Sequence, residues 1–552
     1  MIRDKHYLKQ MIINIGVFLS FCVLSYLYIR PLLITGNIYM GDDAWYHINR
    51  IIEVKRNIEV GNFLPYIYSY TFGQVAFPLG IFYPEITLIP IALISTLFKN
   101  QITGIYMGIA LYTLLTLCIM YFVVRKLNKS RLAAYVASVL YAFSIYRTID
   151  AYSRFALGEY IAMTFLPLCF YGFYAILKGN SKDGVYLVAG FSLILMTHVL
   201  SAVIVFITMM LIWIISLIFI DEKVKKTFNL LIVGVIAVIS SMAFIGPFLE
   251  QELTQKYAKP SPWILAETAR SFNSLFLSAL DNSINRTGFT YSMGIFSIII
   301  ILLGLIYLKK ISELAKLCLV IGICFFLFST KLFPWEWLQN TPISVIQFPS
   351  RLLIIPTLMF SFVGAELIDL FKSIYFTRER SKLVFIISVI TAIFAFWSSS
   401  VYQFKLENSG LVVFNNSSDV IKSNQYIDQY TPKKAKKYLD DIEKHIAVID
   451  GKHIRLTEIK STPGEVTYSS KMFKRNIIVD VPVSFYRNYV IYQGNKKLKV
   501  TKSKRNTLET KLVNNGKITI KYQRSIVDLI SYAVSLIMWI GIIIYIIKNS
   551  WK

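Results

Sequence analysis

Cysteine and histidine are scarce in this chain, with five of each in 552 residues. All five cysteines, Cys22, Cys118, Cys169, Cys318 and Cys324, fall inside apolar runs. Neither a disulfide framework nor a CxxC metal site is offered, and they read as small core hydrophobes. Charge is scarce as well, at 16% of residues, and acid more so than base: 32 Asp plus Glu against 58 Lys plus Arg. Arg3, Lys5 and Lys9 precede the first apolar run, Met11 to Leu33, yet no small-residue cleavage site follows it. The expectation is an uncleaved first span with its N-terminus inside, not a removable leader.

Apolar residues are abundant. At 55% hydrophobic and 15% aromatic, with a formal charge of +26 and a mean hydropathy of +0.55, the chain is a multispan membrane protein and not an ordinary soluble enzyme. Twelve runs are suited to crossing a bilayer: Met11 to Leu33, Gly104 to Val124, Leu132 to Tyr146, Tyr160 to Leu177, Gly184 to Leu200, Ser201 to Ile220, Phe228 to Ile245, Tyr291 to Leu308, Leu314 to Thr330, Leu352 to Phe371, Leu383 to Ser400 and Ile526 to Ile547. A further apolar stretch, Gly80 to Phe98, is broken by Pro84, Glu85 and Pro90. Counting it as a span would put Arg125 to Arg131, Lys309-Lys310 and Arg378 to Lys382 outside, against the tendency of basic loops to stay in the cytoplasm. It is therefore expected to be re-entrant or interfacial, which gives about 12 spans with both termini cytoplasmic.

With that topology the candidate functional residues gather on the external side. Asp42, Asp43, His47 and Arg50 follow the first span, and a helix over Asp43 to Ile51 would place Asp43 and His47 on one face with Arg50 a turn on. Arg147, Asp150, Arg154 and Glu159 lie in one outer segment, His198 at the tip of a helical hairpin, and Gln347 and Arg351 where a span begins. Each also has a plain structural reading, as interfacial anchor, hairpin histidine or helix-end arginine. Their convergence on the face bearing the Asp pair favours function.

Residues 401–524 form the one large hydrophilic region. Its second half alternates in strand fashion between Gln-Gly-Asn, Ser-Lys-Arg-Asn and Asn-Asn-Gly turns, which predicts an antiparallel β-sandwich. The region holds 24 Lys plus Arg against 11 Asp plus Glu, a net +13. A phosphate-bearing envelope polymer or anionic lipid suits such a charge, and nucleic acid is not expected there. Lysines that merely keep an exposed sheet soluble are the alternative.

Gly41 to Ile51, then Gly61-Asn-Phe-Leu-Pro65, Gly73, Pro78 and Phe82-Tyr-Pro84 resemble the first external loop of bacterial membrane proteins described as 6-pyruvoyl-tetrahydropterin synthase-related. These are similar to the YfhO-type proteins of the GT-C glycosyltransferase class. The likeness continues through Arg125-Lys-Leu, Leu140 to Tyr146, Arg154 to Glu159, Thr197-His198 and Gln347 to Arg351. The soluble pterin synthase of the family's name would need a histidine-rich metal site, which five scattered histidines do not supply.

The resemblance implies a GT-C-like fold of about 12 transmembrane helices with an extracellular β-domain before the last one. The expected organisation is a transmembrane domain over 1–400, with a catalytic first external loop at 34–103, the β-domain over 401–524, and a final span and cytoplasmic tail over 525–552. It implies transfer of a sugar from a polyprenyl-phosphate carrier to a cell-envelope polymer or glycolipid at the outer face of a bacterial cell membrane. Asp43 stands where the family's base would be, and His47 would orient it. Asp42, Arg50, Arg147, Asp150, Arg154, Glu159, His198, Gln347 and Arg351 are the implied substrate-binding set. Asp42 departs from the pattern and could form a divalent metal site with Asp43, although a lipid monophosphate donor does not require one. A transporter or flippase of lipid-linked sugars, or a noncatalytic partner in envelope-polymer assembly, are the competing readings. The near-absence of charge within the spans argues against the first.

Overall fold

The structure, a computed structural model, describes residues 2–259, 263–285, 291–376, 378–414 and 428–550. Residues 415–427 of the expected β-domain region and 551–552 of the basic C-terminal tail lie outside the described residues. The chain is a polytopic α-helical membrane protein with a β-domain before its last helix. All twelve apolar runs are helical. Among the described residues seven helices are long and apolar enough to cross a membrane, and nine if two bent pairs each count as one span. The other three runs give the shorter helices Gly184–Leu195, Ile295–Ile306 and Glu313–Phe328, of 12, 12 and 16 residues, against the roughly 20 a full crossing needs. Gly80 to Phe98 divides into helices Leu79–Phe82 and Ile89–Thr96, neither long enough to span.

Contacts group the chain into two compact units. The first comprises Met1–His47, Leu97–Val233 and Pro262–Ser417. Within it, helix Ile354–Tyr375 ties down two neighbours through carboxylates that complete their N-terminal caps. Asp369 accepts from the Ser130 amide at 2.9 Å, and Glu366 from the Ser312 amide at 3.0 Å. Ser130 and Ser312 in turn cap helices Arg131–Ala142 and Glu313–Phe328, so donors that every helix start leaves unmet are satisfied by side chains rather than water. Close backbone approach packs Leu157–Leu177 on Gly184–Leu195, since a Cβ at Gly172 would lie 2.3 Å from the Leu187 amide. Helix Ile145–Tyr152, bent 41° from Arg131–Ala142, is buried along its whole length. Trp397 fixes it from helix Glu379–Glu407, donating its indole N–H to Thr148 at 3.0 Å.

The second unit comprises Ile48–Thr96, Gly234–Ser261 and Ser418–Lys552. Numbering strands along the whole chain, β1 (Ile38–Tyr39) and β2 (Val412–Phe414) pair in the first unit. The second holds β3 (Ile446–Ile449), β4 (Lys452–Arg455), β5 (Glu458–Thr462), β6 (Glu465–Ser469), β7 (Ile478–Ser484), β8 (Tyr489–Gln493), β9 (Lys496–Leu498), β10 (Val500–Lys502), β11 (Thr507–Lys511) and β12 (Ile518–Tyr522). They form two five-stranded sheets, ordered β10-β11-β7-β3-β4 and β5-β6-β12-β8-β9. Their inward residues, among them Val466, Val481, Ile491, Leu508 and Ile520, meet in one core, which is the sandwich that the alternation predicts. That core also takes in Tyr66, Ile67, Ala76 and Phe82 of the first-loop segment and Tyr257.

Two buried glutamates shape the loop segment. Glu53 accepts backbone N–H bonds from Ser69 at 2.8 Å, Tyr70 at 3.0 Å and Thr71 at 3.1 Å, supplying partners that buried amides require. Glu85 accepts from the Tyr68 hydroxyl. Burial pushes its carboxyl from the ordinary 4.5 up to about 8, against the pull of that hydroxyl and of the Arg50 guanidinium. A raised folded-state pKa contributes stability fully below the unfolded value and loses it as pH rises through the folded one. The second unit should therefore weaken between pH 4.5 and about 8. In thermal unfolding of the full chain at pH 6 and pH 8, the wild type should lose more of its Tm on going to the higher pH than Glu85→Gln does. Equal losses would assign the pH dependence to another group.

Candidate active site

The site is built where the backbone around Gly41 crosses the Arg154 segment. Pairing of β1 with β2, continued by the Met40 amide on the Leu411 carbonyl at 2.7 Å, holds the chain up to Gly41. There the Asp43 amide donates to the Arg154 carbonyl at 3.1 Å. A Cβ at Gly41 would stand 2.5 Å from that same carbonyl oxygen, so only glycine allows the approach. Helix Ala44–Ile58 begins one residue after Asp43. The expected helix over Asp43 to Ile51 therefore starts later, and Asp43 is its lead-in, its carbonyl accepting the His47 amide at 3.0 Å. A carboxylate at that position also meets the positive end of the helix dipole.

Around Asp43 the structure gathers a compact set of charges. Arg154 Nη1 donates to Asp150 Oδ1 at 2.6 Å and to Glu159 Oε2 at 3.1 Å, while its Nε lies 3.7 Å from Asp42 Oδ2. Arg351 Nη1 donates to Gln347 Oε1 at 2.6 Å and to the Ile346 carbonyl at 3.0 Å, with its Nε 3.6 Å from Glu159 Oε2. Glu159 also accepts from the Tyr146 hydroxyl. Both guanidiniums use the ring of Phe348, at 4.0 Å for Arg351 and 5.3 Å for Arg154, a contact worth more once desolvated. Gln347, beside it, has a φ of +67°, a conformation that ordinary side chains adopt at some cost and that recurs at functional sites. Asp150 and Glu159 are buried, Asp43 is half-buried and Asp42 is exposed. Burial pushes the Asp43 carboxyl above the ordinary range, opposed by Arg154 and Arg351 and reinforced by Asp42 and Glu159.

Several polar atoms here have no hydrogen-bond partner among the described residues: Arg154 Nε, Arg351 Nε, Asp150 Oδ2 and the Ser350 hydroxyl. Unmet buried donors are costly, and these two Nε–H groups sit at ion-pair but not hydrogen-bond distance from their carboxylates. Their geometry suits an oxygen-rich anion.

Other sequence-predicted residues make their hydrogen bonds elsewhere, although the charges of Arg147 and His198 still act on Asp150 and Glu159 of this set. Arg147 is fully buried, donating to the Tyr160 carbonyl at 2.8 Å and to Thr164 at 3.1 Å over the Tyr160 ring, which are framework bonds between two helices. Arg50 belongs to the second unit, where it donates to the Pro84 carbonyl at 2.6 Å and lies 4.0 Å over Tyr83. His47 is buried in the first turn of its helix. His198 leads into helix Val199–Ser216 with an extended backbone. Its Nδ1 is 2.8 Å from the Ser201 hydroxyl. For a divalent ion, Asp42 and Asp43 belong to no group of three or more potential ligands among the described residues, and Asp42 faces a guanidinium. The pair fits such an ion poorly.

The family model of the 6-pyruvoyl-tetrahydropterin synthase related domain, described as a membrane protein, matches residues 81–406. The chain belongs to that family. The match takes in Arg147 to Glu159, His198 and Gln347 to Arg351 and begins after Asp42 and Asp43. No curated protein matches it. Among solved structures it is similar to the Archaeoglobus fulgidus oligosaccharyltransferase in the apo form, with a TM-score of 0.39 and 10% identity over 77% of this chain and 58% of that one. It is also similar to the archaeal oligosaccharyltransferase AglB from Archaeoglobus fulgidus in complex with an inhibitory peptide and a dolichol-phosphate. There the TM-score is 0.34 and the identity 10%, over 77% of this chain and 57% of that one. The chain thus spans less than two thirds of the length of either.

Three members of the set escape sequence reasoning. Tyr146 and Phe348 lie inside stretches that the family likeness singles out, but an aromatic beside apolar residues looks like core. Tyr291, whose ring lies 5.6 Å from the Arg154 guanidinium, carries no local signal at all.

Proposed function

We propose that this protein transfers a sugar from a polyprenyl-phosphate carrier to a hydroxyl of a cell-envelope polymer or glycolipid, at the outer face of a bacterial cell membrane. The observation that carries this reading is the pair of buried arginines, Arg154 and Arg351, each with an unmet Nε–H beside a carboxyl whose affinity for protons is raised by burial. The arginines bind the carrier phosphate, and Asp43 takes the acceptor's proton. The acceptor oxygen attacks the anomeric carbon, the bond from that carbon to the phosphate oxygen breaks, and the released phosphate carries away the electron pair against the guanidiniums. A base poised nearer neutrality serves that step better than an ordinary aspartate. Preorganised donors aimed at the leaving oxygen stabilise the charge that develops there. Arg351 is the better candidate for direct contact, because Arg154 is already committed to two carboxylates.

Purified protein in bilayer discs, given a radiolabelled polyprenyl-phosphate sugar and an envelope extract, should move label into the extract. No transfer from several different sugars would count against the reading. The face is tested separately. Single cysteines placed at Asn128 and Asn495, in a chain whose native cysteines are replaced by alanine, should react differently with an impermeant reagent on intact cells. Asn495 should label and Asn128 should not, and label at Asn128 would invert the topology.

A further inference from the structure

We infer that the ribbon formed by β9 and β10 of the sandwich is a docking strip for an anionic glycan polymer. The inference deepens the proposed function by naming the surface that holds the acceptor. Five lysines, Lys496, Lys497, Lys499, Lys502 and Lys504, fall within nine residues, and all five are exposed. β9 is the edge strand of one sheet and β10 the edge strand of the other. Because the two strands follow one another in the chain, a single continuous ribbon borders both sheets. At about 3.3 Å per residue it runs on the order of 25 Å.

None of the five ammonium groups is ion-paired to another described residue, whereas Lys436, Lys444 and Lys521 elsewhere in the domain are. Two of the ribbon's lysines are held by neutral groups instead: Lys497 donates to Gln523 at 2.5 Å, and Lys502 to Gln255 at 3.3 Å. On the neighbouring strand the acid that faces the ribbon is Glu509, opposite Thr501. Next to the strip, Tyr492 pairs across the sheet with Lys497 and points to the same outward face, since residues directly opposite share a side. In the same row come Thr519 and Thr467. Unpaired cations along one edge ribbon, with an aromatic ring and hydroxyls beside Lys497, match the phosphates or carboxylates of a charged glycan together with its sugar rings and hydroxyls. A lipid surface would instead be met by the cations and an apolar flank, and the row beside this ribbon is polar. Charged edges also deter sheet-to-sheet aggregation, but either sign of charge serves that purpose, and this separates the two roles.

The test uses the full chain in discs of zwitterionic lipid, with dextran sulfate as probe and uncharged dextran as control. Reversal of four ribbon lysines (Lys496→Glu, Lys499→Glu, Lys502→Glu, Lys504→Glu) should weaken dextran sulfate binding at least tenfold near 0.1 M salt and flatten its salt dependence. The matched reversal of Lys434, Lys437, Lys452 and Lys460, exposed lysines outside the ribbon, should cost much less. Tyr492→Ala should weaken binding further without changing the salt dependence. Equal losses in the two reversals would reduce the effect to net charge, and unchanged binding would leave the ribbon an edge guard; either overturns the inference. So would loss of binding to phosphatidylserine vesicles with dextran sulfate binding intact. Absence of sugar transfer with ribbon-dependent binding intact would instead count against the proposed reaction alone.

Discussion

Asp43→Asn should lower turnover by about 10² to 10⁴, the usual contribution of a positioned general base, and leave affinity for the donor nearly unchanged. The amide keeps the carboxylate's shape and takes away its basicity, while no cation that meets the carrier phosphate is lost. The backbone bond from the Asp43 amide to the Arg154 carbonyl does not depend on the side chain, so the local fold survives the change. Asp42→Asn should cost much less, because Asp42 is exposed and lies 3.7 Å from Arg154, outside hydrogen-bond range. Transfer assays on both variants, with and without chelator, decide the matter. If both substitutions abolish turnover and added divalent ion restores either, the pair binds metal and the base assignment fails. Full activity in Asp43→Asn would remove the mechanism.

Arg154→Met should destabilise the first unit by about 3–5 kcal/mol, the range expected when one partner of a buried charge network is removed. Asp150 and Glu159 are buried and both accept from Arg154 Nη1; without it, two carboxylates are left facing each other in a dry interior. Arg351→Met should behave differently. Glu159 keeps Arg154 and Tyr146, so the fold persists while donor binding weakens by about 10- to 100-fold, one or two strong charge-assisted bonds' worth. The comparison is read from denaturant unfolding of both variants in detergent, beside the donor dependence of transfer. Adding Asp150→Asn and Glu159→Gln to Arg154→Met should recover much of the lost stability. If Arg154→Met unfolds no more easily than Arg351→Met, Arg154 is not a clamp and its part is confined to binding the carrier phosphate.

Much of the candidate site is legible as residue types. Asp43, Arg154, Glu159 and Arg351 stand out because ionisable side chains are expensive beside apolar spans, Gln347 stands out in the stretch that leads to Arg351, and the structure brings them together. What does not carry through is the grouping. A helical reading from Asp43 placed Arg50 one turn beyond His47, yet Arg50 turns to Pro84 and Tyr83. Arg147 and Arg154 are seven residues apart and alike in sequence, but the one braces two helices and the other joins the acidic set. Glu85 was legible only as a break in an apolar stretch and Glu53 not at all, because their roles depend on partners 16 to 18 residues away.

By itself, the sequence determined the solvent, the helical runs and the sandwich. Each of these is written in a local period: apolar stretches near 20 residues for spans, and alternation broken by Gly and Asn turns for strands. It also pointed to Gly80 to Phe98 as no span, since counting it as one would turn the basic loops outward. Only the tertiary structure decided which carboxylate each arginine serves, that Asp43 leads into its helix rather than lying within it, and that two guanidiniums share the ring of Phe348. Arg154 finds Asp150 and Glu159 nearby in the chain, but Arg154 with Asp42, Arg351 with Glu159 and Arg154 with Phe348 join residues more than a hundred positions apart. The packing of whole helices sets which side chains come within 3 Å of one another, and no local period records that.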